Sequence, residues 1–494
     1  MKKDFSLIKE YQKDLHILGD INSVLHWDRE TIMPIKGIES RSEQSALVSE
    51  IIHKKATSKH LFRSLKRLKE SKIQGDNKLM INKLYKDIEK SRKLPPKFVK
   101  ELAKTANLTT LKWREAKQKN NFKKFEPYLK KIVELKQQES SYIGLKGHPY
   151  NSLLDSYEEG MTTEKLKPLF NGLKKSLTSL HKKIEKSSVY KNDNGEHSHK
   201  FSIDKQKELC EDVIKKIGLK QNNSIFRTST HPFTLSLGLN DVRITTSFNR
   251  NLLFSFIATM HEAGHALYEL NLPKKHKHTI FHNAASYGAH ESQSKFWENM
   301  IGKNKPFWKY YFPKFDKKFN LETNFNNWYR YVNKIKSDPI RVTSDEIAYP
   351  LHIILRFEIE TGLIDGSIKV KELPSIWNKK MKDYLNIKPK NNSEGLLQDI
   401  HWSWGAIGYF PTYAIGTIYA AQLYKKLLKD KKNIEIEIEK GNFNDVAKWL
   451  NKNFHEYGNT LTSEEIMKKT CKQGLNPEIL VKYLKKKYSQ IYKI

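Results

Sequence analysis

Apolar positions follow helical spacing through most of this chain. From the N-terminus to about residue 190, long charged segments such as 5–27 and 45–55 carry apolar residues three and four positions apart. Segment 94–118 opens on a Leu-Pro-Pro run, and proline is well tolerated at the first helical position because its missing N–H is not needed there. Polar stretches at 192–202 and 388–395 are typical of loops. The pattern predicts a mostly α-helical fold.

One stretch departs from helical spacing. Residues 231–248 place β-branched and aromatic side chains in partial alternation on both sides of a Gly-Leu-Asn-Asp sequence at 238–241. This pattern predicts a β-hairpin. An extended peptide could add to the edge of such a strand through main-chain hydrogen bonds. A purely structural hairpin is the equal alternative.

The most apolar helical segment carries the most specific motif. Residues 252–270 (LLFSFIATMHEAGHALYEL) are apolar nearly all round a helix, which indicates a buried helix. His261 and His265 lie four positions apart, on one helix face, so both imidazoles can reach one metal ion. Glu262 points about 100° away and can contact a water on that ion without binding the ion itself. This is the His-Glu-x-x-His arrangement of zinc peptidases, and a pair of satisfied core histidines is the alternative.

A zinc peptidase needs a third protein ligand. The class with a third histidine six residues after the second requires Gly at 268 and His at 271, but the chain has Tyr268 and Asn271. Glu269 follows His265 on the same helix, and three ligands in one row fit a tetrahedral ion poorly. The remaining nearby histidines lie in a polar, loop-like stretch, where solvated side chains are more common than ligands: His276, His278 and His282.

Glu291 is the better candidate for the third ligand. It lies in a segment, 284–303, that reads as a second helix with Glu298 two turns further on. A carboxylate from a second helix can approach the ion from a different direction. The adjacent His290 is the alternative ligand, although it faces elsewhere on that helix.

Two later segments combine charged and aromatic side chains with apolar ones. In 340–360, charges within an apolar run usually form ion pairs, so a structural pair of Arg341 with Asp345 or Glu346 is the alternative to a functional role for Arg341. In 395–424, aromatic side chains usually belong to the core, although His401 and Tyr413 could donate to an oxyanion.

Composition excludes several classes of protein. The formal net charge of +34 would favour nucleic acid, an anionic membrane or acidic peptides, but no nucleic-acid-binding signature accompanies it. We therefore expect a lysine-rich solvated surface and no nucleic-acid or membrane partner. The two cysteines, Cys210 and Cys471, lie in no motif, which argues against a disulfide framework and thiolate ligation. The charged N-terminus and the lack of a long apolar run predict a cytoplasmic protein.

Taken together, these motifs resemble the carboxypeptidase Taq family, the thermostable metallocarboxypeptidases. The similarity runs nearly end to end and in the same order. It rests on HWDRETIMP (26–34), HPF (231–233), DVRIT (241–245), HEAGH (261–265), HESQS (290–294), IRVTSDE (340–346) and GLLQDIHW (395–402).

The resemblance implies a mostly α-helical, saddle-like subunit with a deep groove and a small β-sheet at the active site, similar to neurolysin. It also implies a homodimer that releases single C-terminal residues from peptides with broad specificity and releases proline poorly. His261, His265 and Glu291 would bind one zinc ion per subunit, with cobalt as the alternative metal, and Glu262 would be the base.

The same resemblance places the substrate groove along four of these motifs: HPF (231–233), DVRIT (241–245), IRV (340–342) and GLLQDIHW (395–402). The chain would act as one catalytic unit, 1–494, in which 1–190 forms a helical groove wall and 191–494 carries the metal site and the groove. The residues expected to contact substrate are His231, Arg243, Arg341, Arg356 and Gln398.

Chemical reasoning assigns more specific roles to the arginines of this set and to two further residues. An exopeptidase needs a cation for the terminal carboxylate of its substrate, and the planar fork of arginine suits a carboxylate, so Arg341, Arg243 and Arg356 are candidates. Tyr413 and His401 are candidate catalytic donors to the oxyanion. The alternatives are a zinc oligopeptidase that cuts internally and, less favoured, a basic helical nucleic-acid-binding protein with a structural metal.

Overall fold

The computed structural model describes residues 1–192, 201–249 and 252–494. Most of the loop expected at 192–202 therefore lies outside the described residues. The described part of the chain is mostly helical with one small sheet, as the hydrophobic pattern predicts. Its first ten helices are α1 (Lys2–Thr31), α2 (Ile38–Ala56), α3 (Lys59–Glu70), α4 (Gly75–Arg92), α5 (Pro96–Gln118), α6 (Phe122–Ile143), α7 (Tyr150–Leu154), α8 (Thr163–Lys186), α9 (Ser188–Lys191) and α10 (Ile203–Ile217).

Three strands and eleven further helices follow. These elements are β1 (Ser224–Thr228), β2 (Thr234–Ser236), β3 (Val242–Thr246), α11 (Leu252–Leu270), α12 (Tyr287–Lys295), α13 (Lys305–Phe319), α14 (Phe325–Val332), α15 (Ala348–Asp365), α16 (Leu373–Leu385), α17 (Pro411–Asp430), α18 (Ile434–Glu439), α19 (Asn444–Asn453), α20 (Ser463–Cys471) and α21 (Pro477–Tyr492).

The small sheet confirms the predicted hairpin and extends it. β2 pairs antiparallel with β3, with Leu235 opposite Arg243. β1 pairs parallel with the other edge of β3, with Phe226 opposite Ile244. The hairpin turn contains Gly238 and Asn240, both with positive φ, a conformation that glycine and asparagine tolerate best. The parallel strand β1 was not predicted, because it joins β3 from a distant part of the chain.

The described residues form two compact units. Unit 1 comprises Met1–Arg92, Glu196–Val332 and Leu423–Gly474, and unit 2 comprises Lys93–Gly195, Asn333–Gln422 and Leu475–Ile494. The expectation of one catalytic unit, with a helical wall ending near residue 190, stays a prediction.

Each unit has its own apolar core. In unit 1, Phe256 of α11 packs edge-on against Phe315 of α13, with ring centroids 4.9 Å apart. In unit 2, Phe357 of α15 contacts the rings of Tyr150 and Phe170 in the same edge-on manner. Such aromatic packing buries large apolar surfaces and fixes the relative positions of neighbouring helices. Among the described helices, none is both long enough and apolar enough to cross a membrane.

Candidate metal centre

Helix α11 presents two histidines on one face. Its bounds, Leu252–Leu270, coincide with the predicted buried segment, and Phe256, Met260 and Ala263 are almost fully buried. The rings of His261 and His265 lie one turn apart, with centroids separated by 4.9 Å. The i, i+4 spacing in the sequence therefore becomes a pair of neighbouring imidazoles.

Close contact between α11 and α12 supplies the carboxylate. Gly264 lies against the backbone of α12, and a Cβ atom there would come within 2.6 Å of the Gln293 carbonyl oxygen. Glycine therefore lets the two helices approach each other closely between His261 and His265. This approach carries Glu291 of α12 to the histidine pair.

The three side chains leave a gap of the size that a metal ion fills. The Glu291 Oε2 atom lies 3.6 Å from His265 Nε2 and 3.8 Å from His261 Nε2. One ligand atom from each of the three residues lies within 4.8 Å of the other two. Ligands at about 2.0–2.1 Å from a tetrahedral zinc ion lie about 3.4 Å from one another. The separations exceed hydrogen-bonding distance and fit a shared metal ion.

Glu262 lies next to this cluster and has a different contact. Its side chain is buried, and Thr234 of β2 donates a hydrogen bond of 2.6 Å to its Oε2 atom. Burial raises the pKa of Glu262, with the charge of His261 and the Thr234 hydrogen bond opposing that effect. A buried carboxylate of raised pKa, held beside the ligands, is suited to accepting a proton.

Carboxylates outnumber ammonium groups around the cluster. Glu262, Glu291 and Glu298 supply three carboxylates, and the only ammonium groups described within 4.0 Å of them are those of Lys295 and Lys303. This excess of carboxylates over ammonium groups favours a bound cation. The donor set, two imidazoles and one carboxylate, is the type that zinc prefers at catalytic sites.

Two of the alternative ligands, His290 and Glu269, contact each other. His290 Nε2 lies 2.9 Å from Glu269 Oε1, and the His290 ring stacks on His265 with centroids 4.2 Å apart. Burial, followed by the charges of His290 and His261, lowers the pKa of His265 well below its usual value. A neutral imidazole is the form in which histidine binds a metal.

In unit 2, two arginines share one carboxylate, that of Asp399, whose side chain is 12% exposed. Arg341 places Nη2 2.8 Å and Nε 3.1 Å from Asp399 Oδ1, while Arg356 places Nη2 2.6 Å from Asp399 Oδ2. Burial alone would raise the pKa of Asp399, but the two guanidinium groups hold it far below its usual range. One carboxylate against two arginines leaves a net positive charge.

The alternative that Arg341 pairs with Asp345 or Glu346 was wrong, since Arg341 pairs with Asp399. Asp345 instead accepts hydrogen bonds from the backbone N–H groups of Ile347 and Ala348 at the start of α15. Glu346 is buried against Lys487, with Nζ and Oε2 2.5 Å apart, and also accepts from Tyr488. Asp345 acts as a helix cap, and Glu346 pairs with a distant part of the chain.

The other predicted substrate residues of unit 2 surround Arg341. The Gln398 side chain accepts a 2.8 Å hydrogen bond from the Arg341 backbone N–H and donates to the carbonyls of Pro339 and Glu394. The Gln398 side chain therefore links the backbone at 339–341 to the backbone at Glu394, and its amide donors are already used there. His401 Nε2 lies 3.2 Å from the Tyr413 hydroxyl, and burial lowers the pKa of His401 to about 4.

The remaining two predicted residues lie in or beside the sheet of unit 1. Arg243 of β3 forms a two-pronged pair with Asp241, at 2.8 and 2.9 Å, and its side chain is partly exposed. His231 precedes β2 and is exposed.

Sequence reasoning missed Thr234 and Asp399 as partners of functional candidates. Thr234 directly follows the HPF motif, but nothing in its spacing pointed to Glu262. Asp399 lies in GLLQDIHW, and the only signal was an acidic residue in a segment otherwise rich in aromatic residues.

Comparisons with known proteins identify the family. The sequence profile of the carboxypeptidase Taq (M32) metallopeptidase family matches residues 7–488. Carboxypeptidase 1 of Bacillus subtilis is 36% identical over 497 residues, covering 99% of this chain and 98% of that protein. Thermostable carboxypeptidase 1 of Pyrococcus furiosus is 35% identical over 487 residues, covering 98% and 97%.

Solved structures give the same result for the fold. Metallocarboxypeptidase 1 of Trypanosoma cruzi superposes with a TM-score of 0.95 at 31% identity, covering 99% of this chain and 100% of that one. With two histidines and a glutamate converging beside a buried glutamate, and with relatives matching along nearly the whole length, this chain belongs to the carboxypeptidase Taq (M32) family of metallopeptidases and is a metallocarboxypeptidase.

Proposed function

We propose that this chain binds one zinc ion through His261, His265 and Glu291, and that it removes single residues from the C-terminus of peptides. The supporting observation is the convergence of the three ligand atoms within 4.8 Å, with Glu262 beside them. We further propose broad specificity with poor release of C-terminal proline, a property carried over from the family resemblance.

Glu262 is the proposed general base. A zinc ion at this site would supply Lewis acidity, lowering the pKa of a water and polarising the scissile carbonyl. The Glu262 carboxylate would take a proton from the attacking water and later deliver it to the leaving amine. The hydrogen bond from Thr234 would hold the carboxylate in place during both transfers.

His401 and Tyr413 are the proposed donors to the developing oxyanion. They form a hydrogen-bonded pair, and burial keeps His401 neutral near pH 7. A neutral imidazole bound to a phenol leaves the pair with a proton to donate. Donors fixed in place before the reaction stabilise negative charge without reorganising.

Arg341 is the proposed clamp for the substrate carboxylate. It contacts Asp399 and the Tyr349 hydroxyl, and its guanidinium carbon lies 5.0 Å from the centre of the Tyr413 ring. Because Arg341 and Arg356 share one carboxylate, the cluster keeps a positive charge that a second carboxylate would neutralise. Arg356 is the weaker candidate, since its side chain is 1% exposed.

We also propose a homodimer located in the cytoplasm, with cobalt able to replace zinc. The dimer follows from the family resemblance, and sedimentation analysis of the purified protein would test it. His231, Arg243 and Gln398 stay proposed substrate contacts, of which Gln398 would act through the backbone of Arg341.

Digestion of one peptide in two forms tests the activity. A free-acid peptide should shorten one residue at a time, and mass spectrometry should show a ladder that stalls before proline. The C-terminally amidated form should resist cleavage, because it lacks the carboxylate. Internal fragments early in the time course, or equal cleavage of the amide, would favour the oligopeptidase.

The nucleic-acid-binding alternative needs its own measurement. Binding of a random oligonucleotide at two salt concentrations would reveal it, because phosphate contacts weaken steeply with salt. We expect only weak binding that salt removes.

A further inference from the structure

A second carboxylate contacts His261 at its other ring nitrogen. The His261 Nε2 atom faces Glu291, and the His261 Nδ1 atom lies 2.7 Å from Glu298 Oε2. The side chain of Glu298 is 13% exposed, so little water competes for this hydrogen bond. His261 therefore lies between two carboxylates, one at each nitrogen.

The position of Glu298 follows from the chain after α12. Glu298 is seven residues beyond Glu291 and lies within a π-helical turn, Phe296–Ile301, that continues the chain from α12. Phe296, Trp297 and Met300 of this turn are fully buried. Such turns are rare and often occur at functional sites. A buried turn holds the Glu298 carboxylate firmly.

Lys295 holds the same carboxylate from the other side. Its ammonium group lies 2.7 Å from Glu298 Oε2, the atom that also bonds His261, and 3.9 Å from Glu291 Oε1. The Lys295 side chain is 7% exposed. A carboxylate fixed by a buried ammonium group cannot readily turn toward the ligand cluster. Glu298 thus stays at Nδ1, and Glu291 faces Nε2.

We propose that Glu298, fixed by Lys295, is the positioning residue of His261. By accepting a hydrogen bond from the His261 Nδ1–H group, it selects the tautomer whose Nε2 lone pair points to the ligand cluster, and it fixes the plane of the ring. Metal-binding histidines generally make such a bond, and its loss typically weakens metal binding 10- to 100-fold. The inference rests on the proposed function of the centre, because it assigns a role relative to the metal.

Zinc affinity, measured by competition with a coloured chelator, tests this role without relying on activity. Glu298→Ala should bind zinc about 10- to 100-fold more weakly than the unmodified protein. Glu298→Gln keeps an acceptor oxygen but loses the charge, so its zinc affinity should lie between that of Glu298→Ala and that of the unmodified protein. This partial rescue would not appear if Glu298 served only to stabilise the fold.

A matched control is available in unit 2. Like Glu298, Glu346 is a carboxylate paired with a buried lysine, here Lys487, and it contacts none of the three proposed ligands. Glu346→Gln should therefore leave zinc affinity unchanged even where it lowers the melting temperature. An equal loss of affinity in Glu346→Gln and Glu298→Gln would overturn the proposal, because the effect would then be general destabilisation.

The remaining outcomes separate the two levels of the hypothesis. If the unmodified protein binds no zinc, the proposed function itself fails. If it binds zinc and Glu298→Ala binds equally tightly, only the positioning role is wrong. If Glu298→Ala does not fold, the comparison of Glu298→Gln with Glu346→Gln still decides.

Discussion

Two neighbouring residues, His261 and Glu262, illustrate how position on a helix separates two functions. The Nε2 atom of His261 points toward Glu291, whereas the Glu262 carboxylate accepts a hydrogen bond from Thr234 of β2. Both side chains lie on α11, and the 100° turn between consecutive residues sends them in different directions. Binding and proton transfer can therefore be altered separately.

Glu262→Gln should keep the metal and lose hydrolysis. The amide preserves the shape and can still accept from Thr234, but it cannot take a proton, so we expect kcat to fall by about 10²–10⁴-fold. Metal content of the purified variant should match that of the unmodified protein, whereas Glu291→Ala should lose metal. Full metal occupancy in Glu291→Ala would contradict its role as the third ligand.

Arg341→Ala should lower kcat/KM for peptides with a free C-terminus. Loss of one partner of a buried charged pair costs about 2–5 kcal/mol, which corresponds to a loss of about 30- to 5,000-fold. Asp399 keeps its bonds with Arg356, so a carboxylate is not left unpaired in the free enzyme. Arg341→Lys should recover part of the activity, since lysine has the charge but not the fork.

The amidated peptide supplies the comparison for Arg341. Its cleavage, already slow, should hardly change in Arg341→Ala, because it has no carboxylate to bind. If melting temperature falls while kcat/KM stays the same, Arg341 is structural. Arg243, the most exposed of the three arginines, would then be the first candidate for the clamp.

At the scale of elements, the site depends on how closely α11 and α12 approach each other. The sequence predicted both helices, and the bounds of α11 agree with the prediction. It did not predict the π-helical turn that follows α12, because periodicity alone cannot distinguish one wider turn. It also missed the distance between the helices, which depends on a single missing Cβ at Gly264.

Gly264→Ala should push α12 away from α11. The new Cβ would meet backbone atoms, Gln293 O at 2.6 Å and Ser294 Cα at 2.8 Å, which cannot move as a flexible side chain can. We expect a loss of about 1–3 kcal/mol in the free energy of unfolding, typical of overpacking. Zinc affinity should also fall, because Glu291 moves with α12.

Gly172→Ala is the matched control. Gly172 lies within α8, and a Cβ there would meet no atom within 4 Å. Alanine is the better helix former, so the free energy of unfolding of this variant should rise by up to about 1 kcal/mol. Its zinc affinity should equal that of the unmodified protein. Chemical denaturation and zinc titration of both variants measure the two effects. Equal zinc affinity in the two would show that α11 and α12 tolerate the extra methyl group.

For the whole molecule, metal binding should appear as thermal stability. A ligand that binds only the folded state stabilises it by about 2.7 kcal/mol when its free concentration is 100 times Kd. A strong chelator should therefore lower the melting temperature of the zinc-loaded protein by a few degrees, and added zinc should restore it. His261→Ala should show no such response. A similar chelator effect in His261→Ala would mean that the stabilising metal lies elsewhere.

The sequence by itself determined the helical class, the hairpin, the buried helix α11 and the placement of His261 and His265 on one face of that helix. These features depend on spacing within one segment, where side-chain directions follow from the backbone period. Residues 340–360 show the limit of that reasoning, since Arg341 pairs with Asp399 rather than with Asp345 or Glu346.

Only the tertiary structure decided which distant side chains meet. Glu298 reaches His261 because α12 and the π-helical turn after it pack against α11, and Thr234 reaches Glu262 because β2 lies beside the same helix. Burial also shifts the pKa of two groups of the centre: it lowers the pKa of His265 and raises the pKa of Glu262. Contacts between segments and exclusion of water arise from packing, so no local pattern in the sequence can supply them.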